Sequence, residues 1–391
     1  MKILFLSQRV PYPPNRGDKI TTWRLIERMK RQGHSVDVLA FAHDDADRKA
    51  ARDLEVMGYS VSVFKPRPRW RALPLLATLK PLTLGVYGSK ALQRVVDRRV
   101  PAADLAYAYS SSMGAFFLKH ELPRIMHFAE LDSDKWRQYS ERMLPPVSFV
   151  YWREWRTLLR FEKRLAHAVD QNVFCTPLEE QIFRERIPGA PSCVMRNGVD
   201  LEHHTPAPDR AEPAHLVFCG VMDYYPNVEG CVWFCDEVLP RIRAEFPGVR
   251  FSIVGSHPTD EVQRLGDLPG VLVTGFVDDP RDWLVRASVS VAPLRIARGI
   301  QNKVLEAMAL GLPIVGTSAA TQGVGAEVGR DYLVADDAEG QAALVCGLLR
   351  DTERARTLGQ AARMYVEEHY DWEVCLQPLD EMLNRLGSET R

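Results

Sequence analysis

The 391-residue sequence has no apolar stretch that approaches the roughly 18 residues of a membrane-spanning helix. It also has no charge excess. Its 50 Lys and Arg face 51 Asp and Glu, for a formal net charge of -1. That balance excludes nucleic-acid binding driven by overall charge, so any basic surface must be local. The seven cysteines show no paired spacing. Cys231 and Cys235 lie four apart in a helical pattern with no His or second Cys pair, and read as small buried apolar residues. Unpatterned cysteines in odd number fit a reducing compartment, so a cytoplasmic location is expected. The start "MKILFLSQRVPYPP" has too short an apolar run for a signal-peptide core and reads as a first strand. No G-x-G-x-x-G is present after that strand and no ribose-binding acid follows at the expected distance, which argues against a nicotinamide site. No internal repeat or low-complexity tract is evident.

What is present is an ordinary globular mixture, 46% apolar and 26% charged, of a length that suggests two domains. "KILFLS", "SVDVLAF" and the stretches 59–64, 104–108, 124–129 and 170–175 read as strands, with helices between them. A second series starts near 215 with "HLVFCG", "RFSIVG", "VLVTGFV", "VSVAPL" and "PIVGT". Strands alternating with helices predict parallel sheets covered on both faces. The expectation is therefore an α/β chain of two Rossmann-like parallel-sheet domains facing a central cleft, 1–205 and 206–370. A terminal helix, 371–391, is expected to pack back toward the N-terminal domain. The Pro-rich stretch "LEHHTPAPDRAEP" (201–213) marks the boundary.

Two stretches stand outside that pattern. "KPRPRWRALPLLATLKPLTL" (65–84) interleaves Lys and Arg with apolar residues around Trp70. It reads either as an interfacial patch for anionic lipid or as an ordinary surface loop. "DSD" (132–134) mimics a metal-binding D-x-D, but a metal is not expected there. An acceptor contact by Asp132, Asp134 and Trp136 is the alternative to a solvated helix start.

Parallel sheets bind ligands where loops leave the carboxyl ends of their strands. Three such junctions carry informative residues. In "PPNRGDK", Gly17 opens a helix after the first strand, with Asp18 beside it. A glycine lets backbone amides approach a phosphate, and a helix start adds positive potential. In "FCGVMDYYPNVEG", Gly220 ends a strand and Asn227 is placed to cap the next helix. In "ARGIQNKVLEAMALGLPIV", Asn302 reads as a cap, which puts Lys303 in the first turn and Glu306 three residues on. A lysine there opposes the helix macrodipole, so a purely structural helix gains nothing from it. A bound phosphate would reverse that balance, and Arg298 could add a forked contact.

"RNGVD" (196–200), "LVFCGVMDYYPNVEG", "FSIVG", "VLVTGFVDD" and "RGIQNKVLEAMALGLPIV" occur in this order. Together they resemble a glycosyltransferase of the GT-B fold, family 4, with retaining chemistry. The nearer resemblance is to bacterial sugar transferases of exopolysaccharide and exosortase loci. The resemblance covers essentially the whole chain. It implies a nucleotide-sugar donor, UDP- or GDP-linked, held mainly by the C-terminal domain, with the acceptor on the N-terminal side and no required cofactor or metal. It implies that Gly275, Phe276 and Val277 meet the base through backbone, that Glu306 holds the ribose, and that the Gly17 amide lies near the diphosphate. His127, ending "RIMHF", matches a family histidine near the transferred sugar or is a structural histidine. Two departures stand out. Arg298 replaces the first Glu of the family's Glu-seven-residues-Glu pattern. The usual Arg and Lys after the first C-terminal strand are also absent. The charge is then expected from Lys303 and Arg298, with backbone amides at Gly299, Ile300, Gln301 and Asn302 replacing the lost sugar contacts. The resemblance further implies a glycan or lipid-linked acceptor in cell-surface polysaccharide synthesis. Two rival functions remain: a sugar-nucleotide epimerase, and a non-catalytic nucleotide-sugar-binding protein.

Overall fold

The computed structural model describes the chain except for Arg298, Thr390 and Arg391, and omits the side chains of Arg69, Arg142 and Glu389. The chain divides into two compact units, Met1–Arg196 with Leu376–Arg391, and Asn197–Cys375.

The first unit is built on a seven-stranded parallel sheet. Its strands are β1 (Lys2–Ser7), β2 (Ser35–Phe41), β3 (Ser60–Phe64), β4 (Leu105–Tyr109), β5 (Arg124–Ala129), β6 (Gln171–Phe174) and β7 (Ser192–Val194). They are ordered β3-β2-β1-β4-β5-β6-β7. Every residue of β4 and β6 is buried, as expected of strands covered by helices on both faces. The terminal helix Gln377–Glu389 belongs to this unit. Arg28 forks onto the Asp380 carboxylate, and Arg385 Nη2 donates to Gln171 Oε1 at 2.8 Å.

The second unit has a six-stranded sheet: β8 (His215–Cys219), β9 (Arg250–Val254), β10 (Val271–Val273), β11 (Val289–Ala292), β12 (Ile314–Gly316) and β13 (Leu333–Val334). Its order is β10-β9-β8-β11-β12-β13. The paired strands are parallel throughout. The segment after Arg196 already belongs here. Val199 N donates to Tyr370 O at 2.8 Å, and Gly198 lies so close to Trp372 that a Cβ would sit 2.8 Å from the indole. The helix after β8 starts at Tyr225, with Pro226 in its first turn. It passes through a wider turn at Phe234–Val238 before Leu239–Glu245. Pro240 explains that turn, since it can donate no i to i−4 bond. Among the described residues no helix is long and apolar enough to cross a membrane.

Candidate functional site

In the second unit the chain leaves β8 for β9 and β10 on one side and returns to β11 on the other. The loops after β8 and β11 therefore diverge at the switch point, where open parallel sheets bind ligands.

The β8 loop begins at Gly220. A Cβ there would lie 2.7 Å from Asn227 Nδ2, so a larger residue would push the Asn227 carboxamide aside. Gly255, after β9, has φ +149, and a Cβ on it would fall 1.7 Å from the Gly220 carbonyl oxygen. The two strand ends are thus packed backbone to backbone, with no side chain between them.

Asn227 does not cap its helix. The N-cap position is Tyr224, and Asn227 is the third helical residue, buried. The stretch Tyr224–Pro226 sets the start earlier than Asn227 because Pro226 is preorganised for the first turn. The Asn227 carboxamide is used across the switch point instead. Nδ2 donates to Val221 O at 2.8 Å, and Oδ1 accepts from Lys303 Nζ at 2.7 Å, a bond between residues 76 apart.

Lys303 is the second residue of the helix Asn302–Ala309. Asn302 is not the cap either. Gln301 occupies that position in an extended conformation, with no side-chain cap bond. The Lys303 ammonium lies 5.0 Å from the centroid of the Phe218 ring. Burial pushes its pKa down to about 8, while Cys231, Glu306 and Cys219 oppose the fall. It has no ion pair among the described residues. Glu306 follows one turn later, half-buried. Burial lifts its carboxyl to about 7, Lys303 pulls it down and Asp279 raises it. The site thus holds a desolvated cation restrained by a neutral amide, and a poorly solvated carboxyl beside it. An incoming anion would find an ammonium whose hydrogen-bond partner is a neutral amide.

Gly299 takes φ +63, in the loop leading into this helix. Gly323 packs on it so closely that a Cβ would lie 2.4 Å from Gly299 O, and Gln322 Nε2 donates to Ala297 O at 3.3 Å. That contact fixes the path of Gly299, Ile300 and Gln301. Arg298 lies outside the described residues, so no geometry attaches to it. After β10, Gly275 has φ +69, Phe276 is 75% exposed and Val277 packs against the core.

In the first unit, the equivalent switch point lies between β1 and β4. Gly17 is the first residue of the helix Gly17–Arg31, and its carbonyl accepts from Thr21 Oγ1 at 3.0 Å. Asp18 is paired with Arg16 at 2.6 Å and Arg9 at 3.5 Å, so its charge is largely spent within its own loop. His127 is fully buried. Its Nδ1 bonds the Tyr107 hydroxyl at 2.8 Å and its Nε2 meets Cys175 Sγ at 3.6 Å. Burial drives its pKa down to about 3, which leaves a neutral imidazole with both nitrogens engaged inside the protein.

Asp132 and Asp134 open the helix Asp132–Arg142. Asp132 accepts from Ser111 Oγ at 2.7 Å, and burial raises its pKa to about 6. Asp134 is buried and pairs with Arg137 at 2.7 Å. Trp136 stacks on Tyr151 with centroids 5.3 Å apart. The two carboxylates therefore have separate partners, and no cluster of His, Cys, Asp or Glu among the described residues is arranged to hold a metal.

Several participants escaped the sequence reading. Phe218, under the lysine, and Gly255 lie within the stretches "LVFCGVMDYYPNVEG" and "FSIVG", where nothing local marks the contacts they make. Glu162, fully buried near Asp132 with Oε2 unpartnered, reads in sequence as one more helix charge.

A two-unit parallel α/β chain with a loaded switch point defines the class, and comparison with known proteins defines the family. Residues 17–203 match the family model Glycosyltransferase Family 4, and residues 213–351 match Glycosyl transferases group 1. The chain is 21% identical to an "Uncharacterized 44.6 kDa protein in cps region" of Klebsiella pneumoniae, over 95% of this chain and 96% of that one. It is 32% identical over 206 residues to the phosphatidyl-myo-inositol mannosyltransferase of Mycolicibacterium smegmatis, a match of 48% of this chain and 50% of that protein. The structure of Anabaena Alr3699/HepE in complex with UDP and glucose superposes with a TM-score of 0.69 at 18% identity, over 98% of this chain and 100% of that one. The chain is a glycosyltransferase of the GT-B fold.

Proposed function

We propose that the protein is a retaining glycosyltransferase that moves a sugar from a UDP- or GDP-linked donor to a glycan or lipid-linked acceptor in bacterial cell-surface polysaccharide synthesis. The observation that carries this is the Lys303–Asn227 bond spanning the switch point, with Glu306 one turn beyond. In this account the donor diphosphate displaces the Asn227 carboxamide from the ammonium, or shares it. Lys303 and the amides that open its helix then neutralise the charge that grows on the leaving phosphate. Glu306 accepts the ribose hydroxyls, and the backbone of Gly275, Phe276 and Val277 frames the base. The anomeric carbon–phosphate oxygen bond breaks and a bond to the acceptor oxygen forms on the same face. The acceptor's hydroxyl proton passes to the departing phosphate, so the protein need supply no strong base. His127 is given no chemical part, because its ring is occupied inside the first unit.

The Anabaena complex with UDP and glucose supports a nucleotide-sugar donor. The mannosyltransferase supports a lipid-linked acceptor, and the Klebsiella relative from a cps region supports a surface-glycan role. The test incubates the full chain with labelled nucleotide sugars, with and without a bacterial lipid and glycan extract. Acceptor-dependent loss of nucleoside diphosphate, with the sugar's anomeric configuration kept in the product, is the expected result. An epimerised nucleotide sugar formed without acceptor would assign the epimerase function instead. Donor binding with no turnover would mark a non-catalytic binder.

A further inference from the structure

Of the 22 large apolar residues exposed among the described residues, nine come from two segments of the first unit. One is the short helical turn Arg69–Ala77 and the strand of chain after it, where Trp70 is 64%, Leu73 57%, Leu76 40% and Leu79 77% exposed. The other is the turn into the helix Val147–Ala166, where Leu144 is 82%, Phe149 64% and Trp152 46% exposed, with Met143 and Val147 beside them.

The two segments are fastened together. Arg153, buried on that helix, donates to the carbonyl oxygens of Leu75, Leu76, Thr78 and Lys80. Glu154, its neighbour, accepts from the amides of Leu82 and Thr83 at 2.7 and 2.9 Å and so caps the helix Leu82–Tyr87. One helical turn thus gathers both halves of an exposed apolar surface. Its construction is specific, since two charged side chains are buried to hold a loop whose own side chains face water.

Charge identifies the occupant. The stretch 65–84 contains five Lys or Arg and no Asp or Glu, in a chain whose net charge is -1. Lys65, Arg67, Arg71 and Lys80 are exposed, and the Arg71 guanidinium lies 5.2 Å from the Trp70 ring centroid. On the long helix, Phe149, Trp152, Arg156 and Arg160 are exposed at spacings of three, four and four, which places them on one face. The aromatic residues lie at the turn end of that stripe and the arginines follow. Exposed apolar and aromatic side chains interleaved with exposed Lys and Arg match a bilayer interface bearing anionic headgroups. A protein partner of ordinary surface would leave these cations unmatched.

We propose that these two segments form a single docking surface for an anionic phospholipid membrane, with Arg153 and Glu154 as positioning residues. Trp70, Leu79, Leu144 and Phe149 enter the interfacial layer, and Arg71, Lys80, Arg156 and Arg160 meet the headgroups. The surface is independent of the donor site, so it stands or falls separately from the transfer reaction.

The test is sedimentation of the full chain with vesicles of phosphatidylcholine alone and of an equal mixture with phosphatidylglycerol. Binding to the mixed vesicles, lost at high salt and absent with phosphatidylcholine alone, is expected. Arg71→Ser with Arg156→Ser should weaken it on the order of thirtyfold, and Trp70→Ser with Phe149→Ser at least about tenfold. All four side chains are exposed, so melting should be unchanged in both variants, and each single substitution serves if a pair fails to fold. Equal binding to the two vesicle types, no binding to either, or binding that ignores both pairs would overturn the proposal. So would lipid-free self-association abolished by Trp70→Ser, which would assign the surface to a second copy of the chain.

Discussion

Replacing Lys303 by Met should make the protein more stable and less active. A lysine held at about 8 instead of its ordinary 10.5 carries a penalty of up to roughly 3 kcal/mol in the folded state. The side chain is half-buried, so that figure is an upper bound. Methionine fills nearly the same volume over Phe218 with no charge to desolvate. Against that gain, Asn227 Oδ1 loses its donor, a cost of about 1 kcal/mol. A net gain of up to about 2 kcal/mol remains, and each kcal/mol should raise the melting temperature by about 2–4 °C in a domain of this size. The sign depends on pH in a checkable way. Below about 8 the amine is charged in both the folded and the unfolded chain, so the folded form bears the full penalty. The penalty fades as pH rises from about 8 towards 10.5. The advantage of the variant should therefore be largest at neutral pH and shrink in alkali. Turnover should fall on the order of a hundredfold or more, as when one contact to developing negative charge is removed. Thermal melts across pH, paired with initial rates, would decide it. A variant that is less stable at neutral pH and keeps its turnover would refute both the desolvation and the phosphate assignment.

Further expectations concern other parts of the fold. Gly255→Ala places a Cβ 1.7 Å from the Gly220 carbonyl oxygen at φ +149, so the β8 and β9 ends must separate. A loss of about 3 kcal/mol or more is expected by denaturant titration. Glu306→Gln should stabilise with the opposite pH profile. The carboxyl sits at about 7 against an ordinary 4.5, so its penalty is absent below 4.5, grows as pH rises, and is complete above about 7. The stability difference measured against wild type should follow that window and reach up to roughly 3 kcal/mol. His127→Gln should cost about 2 kcal/mol through the lost Tyr107 bond and poorer packing, while leaving donor-induced stabilisation unchanged. A selective loss of donor response in that variant would return His127 to the chemistry.

Much of this architecture is written in local pattern. Parallel strands buried on both faces leave continuous apolar runs, so β1, β2, β8, β9 and β11 stand out in the sequence. β13, with two residues, and β7, with three, are too short to leave a periodic signal. Local sequence misplaces the helix starts at Asn227 and Asn302 for one reason. An asparagine before an apolar run looks like a cap, and nothing local reveals that its amide serves a distant partner. Asn227 meets Lys303 only because the sheet order sets β8 beside β11. The unusual lysine was visible as a violation of helix electrostatics, but its restraint by a neutral amide was not. In the same way, the basic apolar segment 65–84 was legible, whereas its attachment to the aromatic turn through Arg153 and Glu154 appears only in three dimensions.

The donor site is tested most directly by calorimetric titration of the full chain with UDP- and GDP-sugars, for wild type and Lys303→Met. A charge-assisted contact is worth about 1.5–3 kcal/mol, so the account predicts saturable binding of at least one donor with Kd raised about tenfold to a hundredfold in the variant. Equal affinity of the two folded proteins for that donor would contradict the placement of the diphosphate at Lys303.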